Sequence, residues 1–165
     1  FNRSQGGGSI YDLACYCIHH ARFVFGGEPM RVFATRQPGI EVDDGAAVLL
    51  EFGAGRAAQI SVSFNAWDSQ YAEIGGSKGQ LRIDNAWNNE DAPVALAHRS
   101  PRHHAEPEVT HFAPANQFAL QLQHLCDCLR TGAQHRIPPE NSVAQMRVID
   151  AIFESMAAGK SVSID

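Results

Sequence analysis

The chain has 165 residues, 44% of them hydrophobic and 19% charged, with a formal net charge of −5. A chain of that length suits one domain and buries about 70% of its unfolded surface. The acidic balance and the singly scattered arginines exclude a nucleic-acid surface, which needs clustered Lys and Arg, and no apolar run approaches the ~20 residues that span a bilayer.

The chain opens Phe1-Asn2-Arg3-Ser4-Gln5, with no initiator Met and no signal segment, a start that suggests a cut within a longer sequence. Four cysteines are too few for a disulfide scaffold. The expectation is a cytoplasmic protein with reduced thiols.

Gly6-Gly7-Gly8-Ser9 leads into a helical pattern over residues 10–25. Leu13, Ala14, Cys17, Ile18, Ala21, Val24 and Phe25 fall within an arc of about 140°, wide enough to sit on a sheet. Gly26-Gly27-Glu28-Pro29 ends that helix. Strand signals follow at 31–35, 46–52, 57–64, 71–74 and 81–83, with a further candidate at 94–98. Gly53-Ala54-Gly55-Arg56 and Gly75-Gly76-Ser77-Lys78-Gly79 read as hairpin loops between them. The second is no phosphate loop, because it lacks the Gly-Lys-Ser/Thr order and leads into a strand. Residues 99–114, rich in Pro and His, carry no assignable pattern.

Phe118, Leu122, Leu125 and Leu129 recur at helical spacing up to Gly132. A last helix begins after Pro138-Pro139, where Ser142-x-x-Gln145 fits a capping box. Met146, Ile149, Ile152, Phe153 and Met156 form its expected buried stripe, and Gly159 closes it. Residues 162–164 are a possible final strand. Strands grouped together between helices predict an α+β fold: a large open, mainly antiparallel sheet with helices packed on one face. The other face is then free for a partner.

On the first helix, Asp12, Tyr16 and His19 lie within about 60° of one another, with Arg22 beside them. One reading is a solvated polar face. The other is the wall of a site, in which a Tyr hydroxyl exchanges a proton with a substrate oxygen, Asp orients a hydroxyl and His titrates near neutrality. Tyr at its usual pKa of about 10 needs a nearby cation for that work, and no Lys stands in this segment. Gly6-Gly7-Gly8 before the helix is a candidate for close backbone approach to a ligand, since N–H groups gather there; glycine triplets also serve as hinges.

Two further constellations imitate metal sites. Cys15-x-Cys17 and Cys126-x-Cys128 both fall in predicted helices, where residues two apart point about 200° from each other and cannot grip one ion. They read as small core residues. Of the eight histidines, His98, His103, His104 and His111 cluster in the proline-rich stretch, whose irregular spacing favours a surface loop over a metal-dependent sugar-processing site. No metal site is expected.

The ordered motifs resemble the C-terminal domain of the glucose–fructose oxidoreductase, inositol dehydrogenase and MocA (Gfo/Idh/MocA) family. They run along nearly the whole chain: Gly6-Gly7-Gly8-Ser9-Ile10-Tyr11-Asp12, Tyr16-Cys17-Ile18, Gly27-Glu28-Pro29 with Val32, Val42-Asp43-Asp44, and Leu50-Glu51-Phe52-Gly53-x-Gly55. Glu73-Ile74-x-Gly76-Ser77-x-Gly79-x-Leu81-x-Ile83 follows, then Asn116-Gln117-Phe118 and Val148-Ile149-Asp150-Ala151-Ile152-x-x-Ser155.

The resemblance implies that residues 1–165 are the single C-terminal substrate-binding and oligomerisation domain of a two-domain oxidoreductase. An N-terminal Rossmann domain, absent here, would bind NAD or NADP. Its hydride transfer would act on a sugar, polyol or diol carbinol, and the sheet face would hold a homodimer or larger assembly. The family's Glu-Lys-Pro motif, which brings the lysine supporting proton transfer, is absent from this chain, as is Gly-x-Gly-x-x-Gly after a strand. The site motif maps onto Asp12 and Tyr16 as catalytic residues, with His19, Gly8 and Arg22 toward substrate and no cofactor-binding residue assigned. Ala14 departs from a frequent Gly. The chain alone is then expected to be inactive. The competing reading is a ligand-binding or dimerisation module that kept the fold and lost the chemistry.

Overall fold

The computed structural model describes residues 2–87, 92–100 and 106–164, which form two units: residues up to 66 together with 137 onward, and residues 67–136. The class is α+β, and the strands divide into two four-stranded antiparallel sheets.

In the first unit, strands β1 (Arg31–Pro38), β2 (Asp43–Glu51) and β3 (Ala57–Ser63) form a meander, and the last strand, β8 (Val162–Ser163), adds to the free edge of β1. Their register alternates Val32, Ala34, Val48, Leu50 and Ile60 onto one buried face, with Phe33, Thr35, Ala47, Gln59 and Ser61 on the other. Helices α1 (Cys15–Phe25) and α3 (Pro139–Ala158) cover the buried face with Ile18, Ala21, Val148, Ile149 and Ile152. Their burial is the main source of this unit's stability.

β8 pairs with β1 only at Arg31 and Val32, so the sheet runs out beside Ala34. Ser155 of α3, fully buried, replaces the missing strand: its hydroxyl accepts from the Ala34 N–H at 3.0 Å and donates to the Lys160 carbonyl at 2.6 Å.

The second unit is a meander of β4 (Tyr71–Gly76), β5 (Gly79–Asp84), β6 (Val94–Arg99) and β7 (Glu108–Phe112), followed by helix α2 (Gln117–Thr131). The expected hairpin at Gly75-Gly76-Ser77-Lys78-Gly79 is present, with Ser77 and Lys78 as its two-residue turn between the paired Gly76 and Gly79. Gly79 sits at φ +145, where a Cβ would collide with the Arg99 carbonyl. Asn116 caps α2 by accepting from the Ala119 N–H at 2.8 Å, and Gly132 ends it at φ +72.

Three sequence expectations are corrected. Ser142 and Gln145 form no capping box, because the Pro138-Pro139 pair starts α3 three residues earlier and places both inside the helix. Met146 is 43% exposed, and Val148 and Ser155 take its place in the buried stripe. β7 arises from the stretch left without a pattern; every residue along it is exposed, so no apolar alternation announces it. No helix among the described residues is long and apolar enough to cross a membrane.

Candidate functional site

The polar face on the first helix begins in a wider turn than an α-helix. Residues Ile10–Ala14 form a π-helical turn, in which the Cys15 N–H reaches back to the Ile10 carbonyl, and the chain then continues directly into α1. Such insertions widen one turn and redirect the side chains around it.

The start of this turn is fixed from the sheet. Asp43, the first residue of β2 and only 4% exposed, accepts from the Ser9 hydroxyl at 2.6 Å and from the Ile10 N–H at 2.9 Å. Its carboxylate thus supplies the negative charge that a helix N-terminus favours. Gly8, at φ +126, makes the approach possible: a Cβ there would stand 2.6 Å from Asp43 Oδ1. The close backbone approach expected of the glycine triplet is therefore made to a carboxylate of the same chain. In the sequence Asp43 stands out only as part of the motif Val42-Asp43-Asp44. Its signal is the acidic pair Asp43-Asp44 standing just before the apolar run of residues 46–50.

Asp12 is exposed within the π-helical turn, Tyr16 is 54% exposed one turn on, and His19 is half-buried a turn beyond. The structure thus brings these three along one continuous helical rod. Asp12's charge reaches the Cys15 thiol, whose pKa is raised chiefly by burial, partly offset by a Tyr16 backbone hydrogen bond. Burial, and then the charge of Arg22, lowers the His19 pKa, favouring the neutral imidazole.

Arg22 does not join them. The sequence sets it beside the polar face; the structure buries it to 4%. Its Nε and Nη2 donate to the Glu28 carboxylate at 2.6 and 2.7 Å. Nη1 donates to Asn141 Oδ1 at 3.2 Å and Gln145 Oε1 at 2.8 Å, and Nη2 also to the Asn141 carbonyl at 3.2 Å. A guanidinium has five N–H donors, and all five are committed here. The helix turns its long side chain toward the start of α3 instead of solvent. Gln145 completes the link, donating from Nε2 to the Cys15 carbonyl at 2.7 Å. The local signal at Gln145 points to a capping box and not to this role, because its partners lie 123 and 130 residues away.

The cysteine and histidine constellations resolve differently. All four cysteines are free thiols, with Cys15 and Cys17 on α1 and Cys126 and Cys128 on α2. Burial first, and then the neighbouring Cys15, pushes the Cys17 thiol up to about 11, so it stays protonated at neutral pH. His98 pairs in register with Glu108, three residues from His111, so the two histidines project from opposite faces of their sheet. His103 and His104 lie outside the described residues. No group of three His, Cys, Asp or Glu among the described residues could hold a metal ion.

Residues 1–82 match a protein-family model described as the GFO/IDH/MocA C-terminal domain. D-xylose 1-dehydrogenase (NADP(+)) 2 from Haloferax volcanii is 32% identical over 161 residues, covering 96% of this chain and 49% of that protein. Trans-1,2-dihydrobenzene-1,2-diol dehydrogenase from Sus scrofa is 27% identical over 157 residues, covering 93% of this chain and 46% of that protein. Among solved structures, aldose-aldose oxidoreductase from Caulobacter crescentus complexed with glycerol superposes with a TM-score of 0.85 at 28% identity, over 96% of this chain and 48% of that one. The chain spans about half the length of these relatives. Fold and relatives together define an oxidoreductase-family domain. The chain belongs to the Gfo/Idh/MocA family and corresponds to its C-terminal domain.

Proposed function

We propose that this chain is the substrate-side domain of an NAD(P)-dependent oxidoreductase that transfers hydride between nicotinamide and a carbinol of a sugar, polyol or diol. The observation that carries this reading is the pair Asp12 and Tyr16. Both are solvent-exposed, on a helix pinned from beneath, and they are the two residues onto which the resemblance maps the family's site motif. The names of the relatives, a xylose dehydrogenase and a dihydrodiol dehydrogenase, support a polyhydroxylated or diol substrate.

In this reading the Tyr16 phenol exchanges its proton with the reacting substrate oxygen, and the Asp12 carboxylate accepts from a neighbouring hydroxyl and fixes its orientation. His19, kept neutral, offers one ring nitrogen as donor and the other as acceptor toward a further hydroxyl. Gly8 contributes to the floor of the turn. Arg22 is not put forward as a substrate ligand, since its donors are spent inside the chain.

The glycine-triplet end of the helix does not fit a dinucleotide pyrophosphate, because the Asp43 carboxylate already faces it. We therefore assign nicotinamide binding, and the cation that Tyr16 needs, to residues of the parent protein outside this chain. Homo-oligomerisation through the outer face of the first unit's sheet belongs to the same reading, supported by Phe33, which is 41% exposed in the middle of that face.

The test is nicotinamide reduction by the full-length parent against sugars, inositols and diols, with Tyr16→Phe beside it. Turnover should fall by about 10²–10⁴-fold in the variant with cofactor binding intact. Unchanged turnover would return this helix face to ordinary solvated surface. No turnover with any substrate would favour the ligand-binding or dimerisation module.

A further inference from the structure

We propose that Gln145 is a positioning residue for Tyr16, an inference that rests on the reading of Tyr16 above. Neither Tyr16 nor Asp12 has a side-chain hydrogen bond among the described residues, so where the base of each side chain stands is set by the backbone that carries it. That backbone changes helical type between Ala14 and Cys15. A small shift in where the change falls rotates Tyr16 about the helix axis relative to Asp12.

Gln145 touches the helix at this junction. Its Nε2 donates to the carbonyl of Cys15, the residue immediately before Tyr16, at 2.7 Å. The orientation of its amide is not free. Arg22 Nη1 lies 2.8 Å from the other end, and a guanidinium only donates, so that end must be the oxygen and the NH₂ group is turned to Cys15. Arg22 is held in turn by both oxygens of Glu28 and by two atoms of Asn141. Gln145 belongs to α3, which Val148, Ile149 and Ile152 fix in the core.

A chain of contacts thus runs from the core through α3 and Gln145 to the backbone of Tyr16, while Asp43 holds the other end of the π-helical turn at Ile10. The exposed Tyr16 inherits a fixed position from buried groups that never meet substrate. A misplacement of about 1 Å is enough to cost on the order of 10²-fold in rate.

The discriminating variant is Gln145→Glu in the full-length parent. A carboxylate of the same shape keeps Arg22 as partner and gains a charge-assisted bond, but has no hydrogen to give the Cys15 carbonyl. The expected result is a fall in kcat of about tenfold or more, with KM for the cofactor and the melting temperature near wild type, and faster hydrogen exchange at amides 12–16. Gln145→Leu, which loses both contacts, should lower kcat similarly and stability as well. Wild-type kcat in Gln145→Glu beside an inactive Tyr16→Phe would overturn the positioning role and leave the Tyr16 reading standing. Full turnover in Tyr16→Phe would remove that reading and this inference with it, and a kcat loss in Gln145→Glu without faster exchange at 12–16 would also overturn it.

Discussion

The two units treat the same sequence signal in opposite ways. Helix α3 carries an apolar stripe at helical spacing and buries it, with Ile149 and Ile152 at 2% and 0% exposure. Helix α2 carries a stripe at equally regular spacing and leaves it open: Phe118, Leu122, Leu125 and Leu129 are 44–77% exposed. The sheets differ likewise. Among the described residues, the buried hydrophobic ones belong to the first unit except Ala72 and Cys128. An amphipathic period states which side of a helix is to be covered; only a long-range partner covers it. In the first unit those partners are strands distant in sequence, and there the apolar stripes generate stability.

Matched truncations sharpen this comparison most. Ile152→Ala removes a fully buried side chain and should cost about 3–5 kcal/mol. Leu122→Ala, at 63% exposure, should change stability by no more than about 0.5 kcal/mol. Both tryptophans, Trp67 and Trp87, lie in the second unit. In urea unfolding, tryptophan fluorescence therefore reads the second unit alone, whereas far-UV circular dichroism reads the backbone of both. An Ile152→Ala shift confined to the dichroism transition is the expected outcome. Equal costs for the two truncations would mean that α2 buries its stripe in solution.

How much was legible in the sequence follows the same division. Hairpins were readable because Gly53, Gly55, Gly76 and Gly79 mark turns locally, and α1 and α3 because their periods run over several turns. What the sequence did not disclose is long-range. Arg22 looked like part of a polar face because periodicity assigns a direction to a Cβ, whereas a long side chain bends back to find Glu28 and Asn141. The π-helical turn was invisible for a related reason: a single wider turn barely alters the apolar spacing. Asp12, Tyr16 and His19 fell on one helical rod as read. Asp43 and Gln145, which fix that rod, make their contacts across 33 to 130 residues.

The contact between Gly8 and Asp43 gives the next largest effect. Gly8→Ala forces a side chain to φ +126 and into the Asp43 carboxylate, at an expected cost of about 2–3 kcal/mol in the first unit's transition. The two contributions separate in a double-mutant cycle. With Asp43→Ala as background the steric part is gone, so Gly8→Ala should cost less by about 1 kcal/mol or more. Additive costs would mean that Gly8 answers only to its backbone angle and that Asp43 makes no claim on its missing side chain.

The smallest expected effect is the pH dependence of the first unit. Burial lowers the pKa of both His19 and His20, reinforced at His19 by the charge of Arg22 and at His20 by His19 itself. A histidine whose pKa is lower folded than unfolded takes up its proton first in the unfolded chain. Between the unfolded value, about 6.5, and the lower folded value, the unfolded state binds more protons and stability falls as pH falls. Above that window the two histidines contribute no slope. The urea midpoint of the first unit should therefore be flat in its histidine contribution above about pH 7 and decline on acidification below about 6.5. Replacing both residues by Gln should flatten that decline. A slope of unchanged steepness in the double variant would place its origin in other groups, and a midpoint that rises on acidification would reverse the sign on which the neutral His19 of the candidate site depends.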